Sequence, residues 1–213
     1  MSRIFIDNDA ISKLASCNLI SDAESLLGAS HDSMFILNTL KHRFGLTSAK
    51  RRARIERELG VQTLERVAEF QARSKEIPPA RDELVLLFED VTAIDAGEAQ
   101  MFASASDQAD VLVATGDKRS IKALHGTAVC APIAESLSGR LLCLEQIILR
   151  AIAKFGFDYV KQRVVSGVDC DSALRAAFGM GLDAVEQQVK RVLGVYVSEL
   201  REATGDLLRQ DVS

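Results

Sequence analysis

Three acidic residues far apart in the chain, Asp7, Glu98 and Asp117, hold comparable places in it. Asp7 ends the apolar run Ile4-Phe5-Ile6. Asp117 follows the apolar run Val111 to Ala114 through the turn Thr115-Gly116-Asp117, and Glu98 opens the helical stretch between the two runs. If the apolar runs are parallel strands, their C-terminal ends lie along one edge, where ligands usually bind. Two carboxylates about 5 Å apart repel by roughly 3 kcal/mol at an effective dielectric near 20, so three together either hold protons or recruit a cation. Oxygen-only donors select hard ions, which makes Mg²⁺ or Mn²⁺ the natural guest. Such ions activate water and stabilise charge in phosphodiester cleavage. The same residues also have a plainer use. Asp9 and Asp117 can each cap a helix N-terminus, and Asp95-Ala96-Gly97-Glu98 fits the Asp-x-x-Glu form of a capping box, each cap contributing on the order of 1 kcal/mol. Spacing alone leaves both readings open.

A second candidate is cationic. Between Lys41 and Arg57 stand seven Lys and Arg residues (Lys41, Arg43, Lys50, Arg51, Arg52, Arg54, Arg57) against the single acid Glu56. On a helix, Lys50, Arg54 and Arg57 share a face, which suits contact with a phosphate backbone and equally suits a solvated helix face. The run has no interleaved aromatic residues, which argues against base stacking as the main binding mode.

The elements that must position these residues read as alternating strands and helices. Ile4 to Ile6 is a strand, Ala10 to Cys17 a helix, and Ser21 to Leu27 a second short helix. Met34 to Leu37 is a strand with a helical turn after it at Leu40 to Phe44. Ser48 to about Lys75 holds two helices broken near Gly60, and Ile77-Pro78-Pro79 forces an extended break. Val91 to Ile94 reads as a short strand before a helix from Gly97 to about Ser106. Val111 to Ala114 is a buried strand before a helix from Lys118 to Leu124, and Leu141 to Leu144 is a last strand that feeds the helix Glu145 to Lys154. This alternation implies an α/β fold, three-layer α/β/α with a mostly parallel central sheet. From about Phe155 only helices follow. Val185, Val189, Val192, Tyr196, Leu200, Ala203 and Leu207 give one apolar stripe, to be packed on the α/β part or used as a dimer contact.

Bulk properties set limits on partners and compartment. With 213 residues, 47% hydrophobic and 26% charged, the chain has an ordinary globular balance, and its net charge of −4 is too small to name a partner. The four cysteines (Cys17, Cys130, Cys143, Cys170) are too scattered for a thiolate metal site and read as reduced, buried thiols. No signal-peptide pattern opens the chain, and its richest later run falls far short of the roughly 20 apolar residues of a membrane span. A soluble, cytoplasmic protein is expected.

Against this background Ile4-Phe5-Ile6-Asp7-Asn8-Asp9-Ala10-Ile11 resembles the opening of PIN-domain nucleases, and Asp95-Ala96-Gly97-Glu98-Ala99 with Val111 to Arg119 resembles their second half. The resemblance covers about residues 1–147. It implies a PIN-like domain there, with the basic segment at about 48–75, and leaves 148–213 as an all-helical C-terminal extension. It further implies an acidic pocket for Mg²⁺ or Mn²⁺, hydrolysis of RNA and a homodimer. The C-terminal helices, outside the resemblance, are the expected contact for a second copy or a partner protein, and a toxin role in a toxin–antitoxin pair stays open. By position Asp7, Glu98 and Asp117 would hold the metal and carry catalysis, with Asp9 and Asp95 as further donors and Asn8 and Thr115 in support. Lys118, Arg119, Ser120, Lys50, Arg51, Arg54 and Arg57 would hold the nucleic acid.

One departure stands out. Such nucleases usually carry another acid on the helix after the second strand, where this chain has Lys41, His42 and Arg43. Glu56, Glu58, Glu89, Asp90 and Asp95 are the candidates to replace it. Two alternatives remain beside the nuclease. One is a PIN-like RNA- or protein-binding module without turnover. The other is a haloacid-dehalogenase-type phosphatase, with Asp7 as nucleophile and Asp9 as general acid.

Overall fold

The computed structural model describes residues 2–210. Five short strands, β1 (Arg3–Ile6), β2 (Met34–Ile36), β3 (Lys75–Glu76), β4 (Val111–Thr115) and β5 (Leu141–Cys143), form one sheet in the order β3-β2-β1-β4-β5. Every pairing is parallel. The fold is therefore α/β.

The connecting helices are α1 (Asn8–Ser16), α2 (Ala23–Leu27), α3 (Leu40–Arg43), α4 (Ala49–Leu59), α5 (Val61–Arg73), α6 (Asp82–Val85) and α7 (Ala96–Ser106). Then follow α8 (Lys118–Gly126), α9 (Ala131–Ser136), α10 (Leu144–Phe155), α11 (Phe157–Val164), α12 (Ser172–Phe178) and α13 (Glu186–Thr204). All residues of the interior strand β4 are buried, as a strand covered on both faces requires. Its side chains alternate between two apolar cores. Leu112 and Ala114 join Ile4, Ile6 and residues of α1, α5 and α10 on one face. Val111 and Val113 join Phe5 and residues of α7, α8 and α9 on the other.

Most elements fall where the apolar pattern puts them, with two corrections. Val91 to Ile94 is no strand. Its amides close turns, Val91 N–H to the Phe88 carbonyl and Ile94 N–H to that of Val91, both at 3.0 Å. The two buried side chains are thus three residues apart on a turn rather than alternating on a strand. The edge place beside β2 belongs to Lys75–Glu76, two exposed charged residues with no apolar signature, as an edge strand often has.

The second correction concerns the C-terminal helix. The buried face of α13 is Val189, Leu193, Val197, Leu200 and Thr204, rotated from the expected stripe, and Val185 lies exposed before the helix begins. Apolar residues crowd both sides of this helix, so packing rather than the local pattern selects the inner face. Val189 and Leu193 enter one core and Val197 and Leu200 the other. The helices after residue 147 thus share both cores with the sheet, and α10 runs unbroken through that position. After α13, the backbone around Leu208 pairs with Leu141 and covers the free edge of β5.

Candidate active site

Asp7 leaves the carboxyl end of β1 and, in place of the expected Asp9, caps α1, accepting the Ala10 amide, while Asp9 falls inside the first turn. Its carboxyl is only 2% exposed. Its second oxygen accepts the Thr115 hydroxyl and, at 3.2 Å, the Gly116 amide, both from the end of β4. Burial pushes this carboxyl up to about 6, against the pull of those donors, and the nearby charge of Asp9 adds to the rise.

Thr115 is fully buried and also accepts the Asp117 amide at 3.1 Å, so its hydroxyl ties the Asp117 turn to Asp7. Gly116 permits this closeness. A Cβ there would come within 2.6 Å of Asp9 Oδ2 and 3.0 Å of the Ala10 backbone nitrogen. Asp117 caps α8 through the Arg119 amide at 2.8 Å and is clamped by the Arg119 guanidinium at 2.7 Å. Burial alone would raise its carboxyl, but Arg119 outweighs burial and holds it below the usual carboxylate range.

Glu98 forms the expected capping box. It accepts the Asp95 amide at 2.9 Å while Asp95 accepts the Glu98 amide at 2.8 Å. Capping does not exhaust its surroundings. Ser120 donates to the Asp117 carbonyl at 2.9 Å and lies against the Glu98 carboxyl, and the charges of Asp95 and Asp117 bear on it as well. Burial, the largest effect, pushes Glu98 up to about 7. Asp7, Glu98 and Asp117 are thus linked through Thr115 and Ser120 at one sheet edge. Burial raises two of the three toward neutrality, while Arg119 holds the third low.

Some of the expected residues serve elsewhere. Lys118 turns away to a buried ion pair with Glu145, with its ammonium 5.5 Å from the centre of the Tyr196 ring. Arg119 covers Asp117, its own side chain 85% exposed. Asp9 pairs with Lys13 at 2.7 Å, and the same ammonium reaches the Gly116 carbonyl and Asp171 Oδ2, both at 2.9 Å. Burial works to discharge Lys13, but Asp9 and Asp171 outweigh it and keep it charged.

Beside the acids opens a cleft of about 760 Å³. Asn8 and Thr39 line it next to the sheet, Asp95 and Gly97 bring the start of α7, and Arg43, Arg51 and Arg54 bring positive charge from α3 and α4. Lys50 and Arg57 do not line it. Arg54 pairs with Glu58 at 2.9 Å and Arg51 rests on the His42 carbonyl at 3.2 Å. The Arg43 guanidinium has no hydrogen-bond partner or counter-ion among the described residues.

The donors suit a hard divalent ion in type: three carboxylates, and the Asn8 side-chain oxygen, which is buried without a hydrogen-bond partner. Among the described residues no three His, Cys, Asp or Glu side chains yet form an ion-holding group. Of the acids expected to replace the family's missing one, Asp95 adjoins Glu98, whereas Glu56 and Glu58 pair with Arg52 and Arg54 along α4.

Three participants escaped the sequence reading. Lys13 was accessible through its i, i+4 spacing from Asp9. Glu145, 1% exposed, lies in the first turn of α10, two residues after β5. Asp171 caps α12 and had no signal linking it to the acids. Comparison with known protein families, curated proteins and solved structures finds no match for this chain.

Proposed function

We propose that the chain is a PIN-like ribonuclease dependent on Mg²⁺ or Mn²⁺. What carries the reading is one observation: acids from the ends of β1 and β4 and the start of α7 are tied together through Thr115 and Ser120, with two of them pushed toward neutral pKa values. Acids gathered and desolvated in this way gain free energy by accepting a cation. Asp7, Glu98 and Asp117 would hold the ion. A bound divalent ion supplies a water nucleophile at neutral pH and offsets charge on the phosphate.

The chain's own residues supply the rest. Thr115 and the Gly116 amide orient Asp7. Arg43, Arg51 and Arg54 line the neighbouring cleft and draw a phosphate backbone along it. Arg119, released from Asp117, is free to pair with a phosphate of the same strand. A cellular role as a toxin belongs to the same proposal and rests on the resemblance alone.

The test is cleavage of a labelled single-stranded RNA with and without Mn²⁺. Cleavage that needs the metal and falls at least about 100-fold in Asp7→Asn and Asp117→Asn, the scale expected for loss of charge stabilisation at a reacting centre, supports the proposal. Undiminished cleavage in both variants would overturn it. A second reading, RNA binding without turnover, is favoured by Lys13, a built-in cation that already neutralises Asp9 and Asp171 beside the acids. Salt-sensitive RNA binding with no metal-dependent cleavage would select it.

A further inference from the structure

All four cysteines are free, and two of them meet across the molecule. Cys17, at the C-terminal cap of α1, and Cys170, which closes the short 3₁₀ segment Val165–Cys170 before α12, have Sγ atoms 3.8 Å apart although 153 positions separate them. Gly167 makes the approach possible. A Cβ at that position would fall 2.2 Å from the Ser16 carbonyl oxygen, so the segment lies backbone to backbone on the end of α1. Cys170 is partly exposed and Cys17 is buried behind it.

We propose that Cys17 and Cys170 are a redox modification site, a dithiol that a peroxide converts to a disulfide joining α1 to the segment before α12. A disulfide needs sulfurs about 2.05 Å apart, an approach that two side chains already in contact can make. The partly exposed Cys170 thiolate attacks the O–O bond of the peroxide. Its sulfur takes one oxygen to become a sulfenic acid, and the second oxygen leaves as hydroxide and is protonated to water. Cys17 sulfur then displaces the sulfenic hydroxyl, which departs with the Cys17 proton as a second water. Two thiols lose two electrons and one hydrogen peroxide becomes two waters. Cys130 and Cys143 face the Leu87 carbonyl and the Gln146 side chain instead, and serve as internal controls.

The location gives the bond a consequence. Lys13 lies one turn before Cys17, and Asp171 directly follows Cys170, so the Lys13–Asp171 ion pair already joins the same two segments. Oxidation makes that junction covalent next to the acidic cluster. The chemistry does not depend on the nuclease reading.

The experiment treats the reduced full chain with hydrogen peroxide, alkylates the remaining thiols under denaturing conditions, and maps the peptides by mass. The expected result is a monomer two hydrogens lighter, with a Cys17–Cys170 cross-linked peptide, with Cys130 and Cys143 still alkylated, and with a Tm that rises on oxidation and returns with dithiothreitol. Three results would overturn the proposal: Cys170 carried to sulfinic acid while Cys17 stays free, disulfides that include Cys130 or Cys143, or retention of all four thiols. These readouts come from the unmodified sequence, so failure of Cys17→Ser to fold would not blur them.

Discussion

Thr115 donates its hydroxyl proton to a buried oxygen of Asp7 while accepting the backbone amide of Asp117 at 3.1 Å. One hydroxyl thus fixes the carboxyl at the end of β1 against the turn that carries the acid at the end of β4. Helix capping and site building are therefore compatible at these positions. Asp7 caps α1 with one oxygen and is held by β4 through the other.

Replacing Thr115 by valine leaves two buried groups without this partner, the Asp7 oxygen and the Asp117 amide. The expected loss is about 1–3 kcal/mol of stability, measured by urea denaturation at pH 5. Thr115→Ser keeps the hydroxyl and should stay within about 1 kcal/mol of the parent, the range of a small buried volume change.

Stability should fall as pH rises through the carboxylate range. The unfolded chain loses the Asp7 proton near 3.8, whereas the folded protein keeps it to about 6. Between those values the native state binds the extra proton, so each step up in pH disfavours it. Glu98, shifted from 4.5 to about 7, extends the same slope upward. Asp117 and Asp171, held low, act in the opposite sense and contribute stability above their ordinary values that is lost only in stronger acid. The Asp7 contribution is about 3 kcal/mol. Thermal melts from pH 4 to 8 should show the decline, and Asp7→Asn should lack its lower part. Added Mn²⁺ should raise Tm at pH 8 and leave it unchanged at pH 4.5.

Arg119→Ala should tighten Mn²⁺ binding. The guanidinium is mostly in water, so solvent screens its ion pair with Asp117 and its contribution is small. Its removal therefore corresponds to a modest increase in affinity, with Tm of the metal-free protein nearly unchanged. Calorimetric titration of both proteins checks this, and equal affinities would mean that Asp117 takes no part in holding the ion.

The arginines of α4 are separable by position. Arg51 and Arg54 line the cleft and Lys50 and Arg57 do not, although all four lie on one helix. Arg51→Ala and Arg54→Ala should each lower the salt slope of single-stranded RNA binding by about 0.7, the value for one lost phosphate contact. Lys50→Ala and Arg57→Ala should leave it unchanged. Fluorescence anisotropy across a series of salt concentrations measures the slopes.

Much of this arrangement was legible because it is local. The strand–acid–helix units at Asp7 and Asp117, and the Asp95–Glu98 box, follow from short apolar runs and cap chemistry, and α7 and α8 begin where those residues put them. What was hidden depends on contacts between distant segments. Lys75–Glu76 joins the sheet through backbone pairing alone, without an apolar pattern to announce it. The inner face of α13 is chosen by the two cores it bridges. Asp171 reaches Lys13 only because the helices after β5 fold back over α1. The redirection of Lys118 toward Glu145 is of the same kind, since a surface-type lysine carries no sequence mark of its buried partner.

The central claim is that separated acids form one hollow able to trap a divalent ion. Crystals soaked in Mn²⁺, with data collected near the manganese absorption edge, test it most directly. The account predicts one anomalous peak shared by Asp7, Glu98 and Asp117, with Arg119 swung away from Asp117. A map without that peak, in which each acid remains on its own amide and Arg119 stays in place, would contradict it.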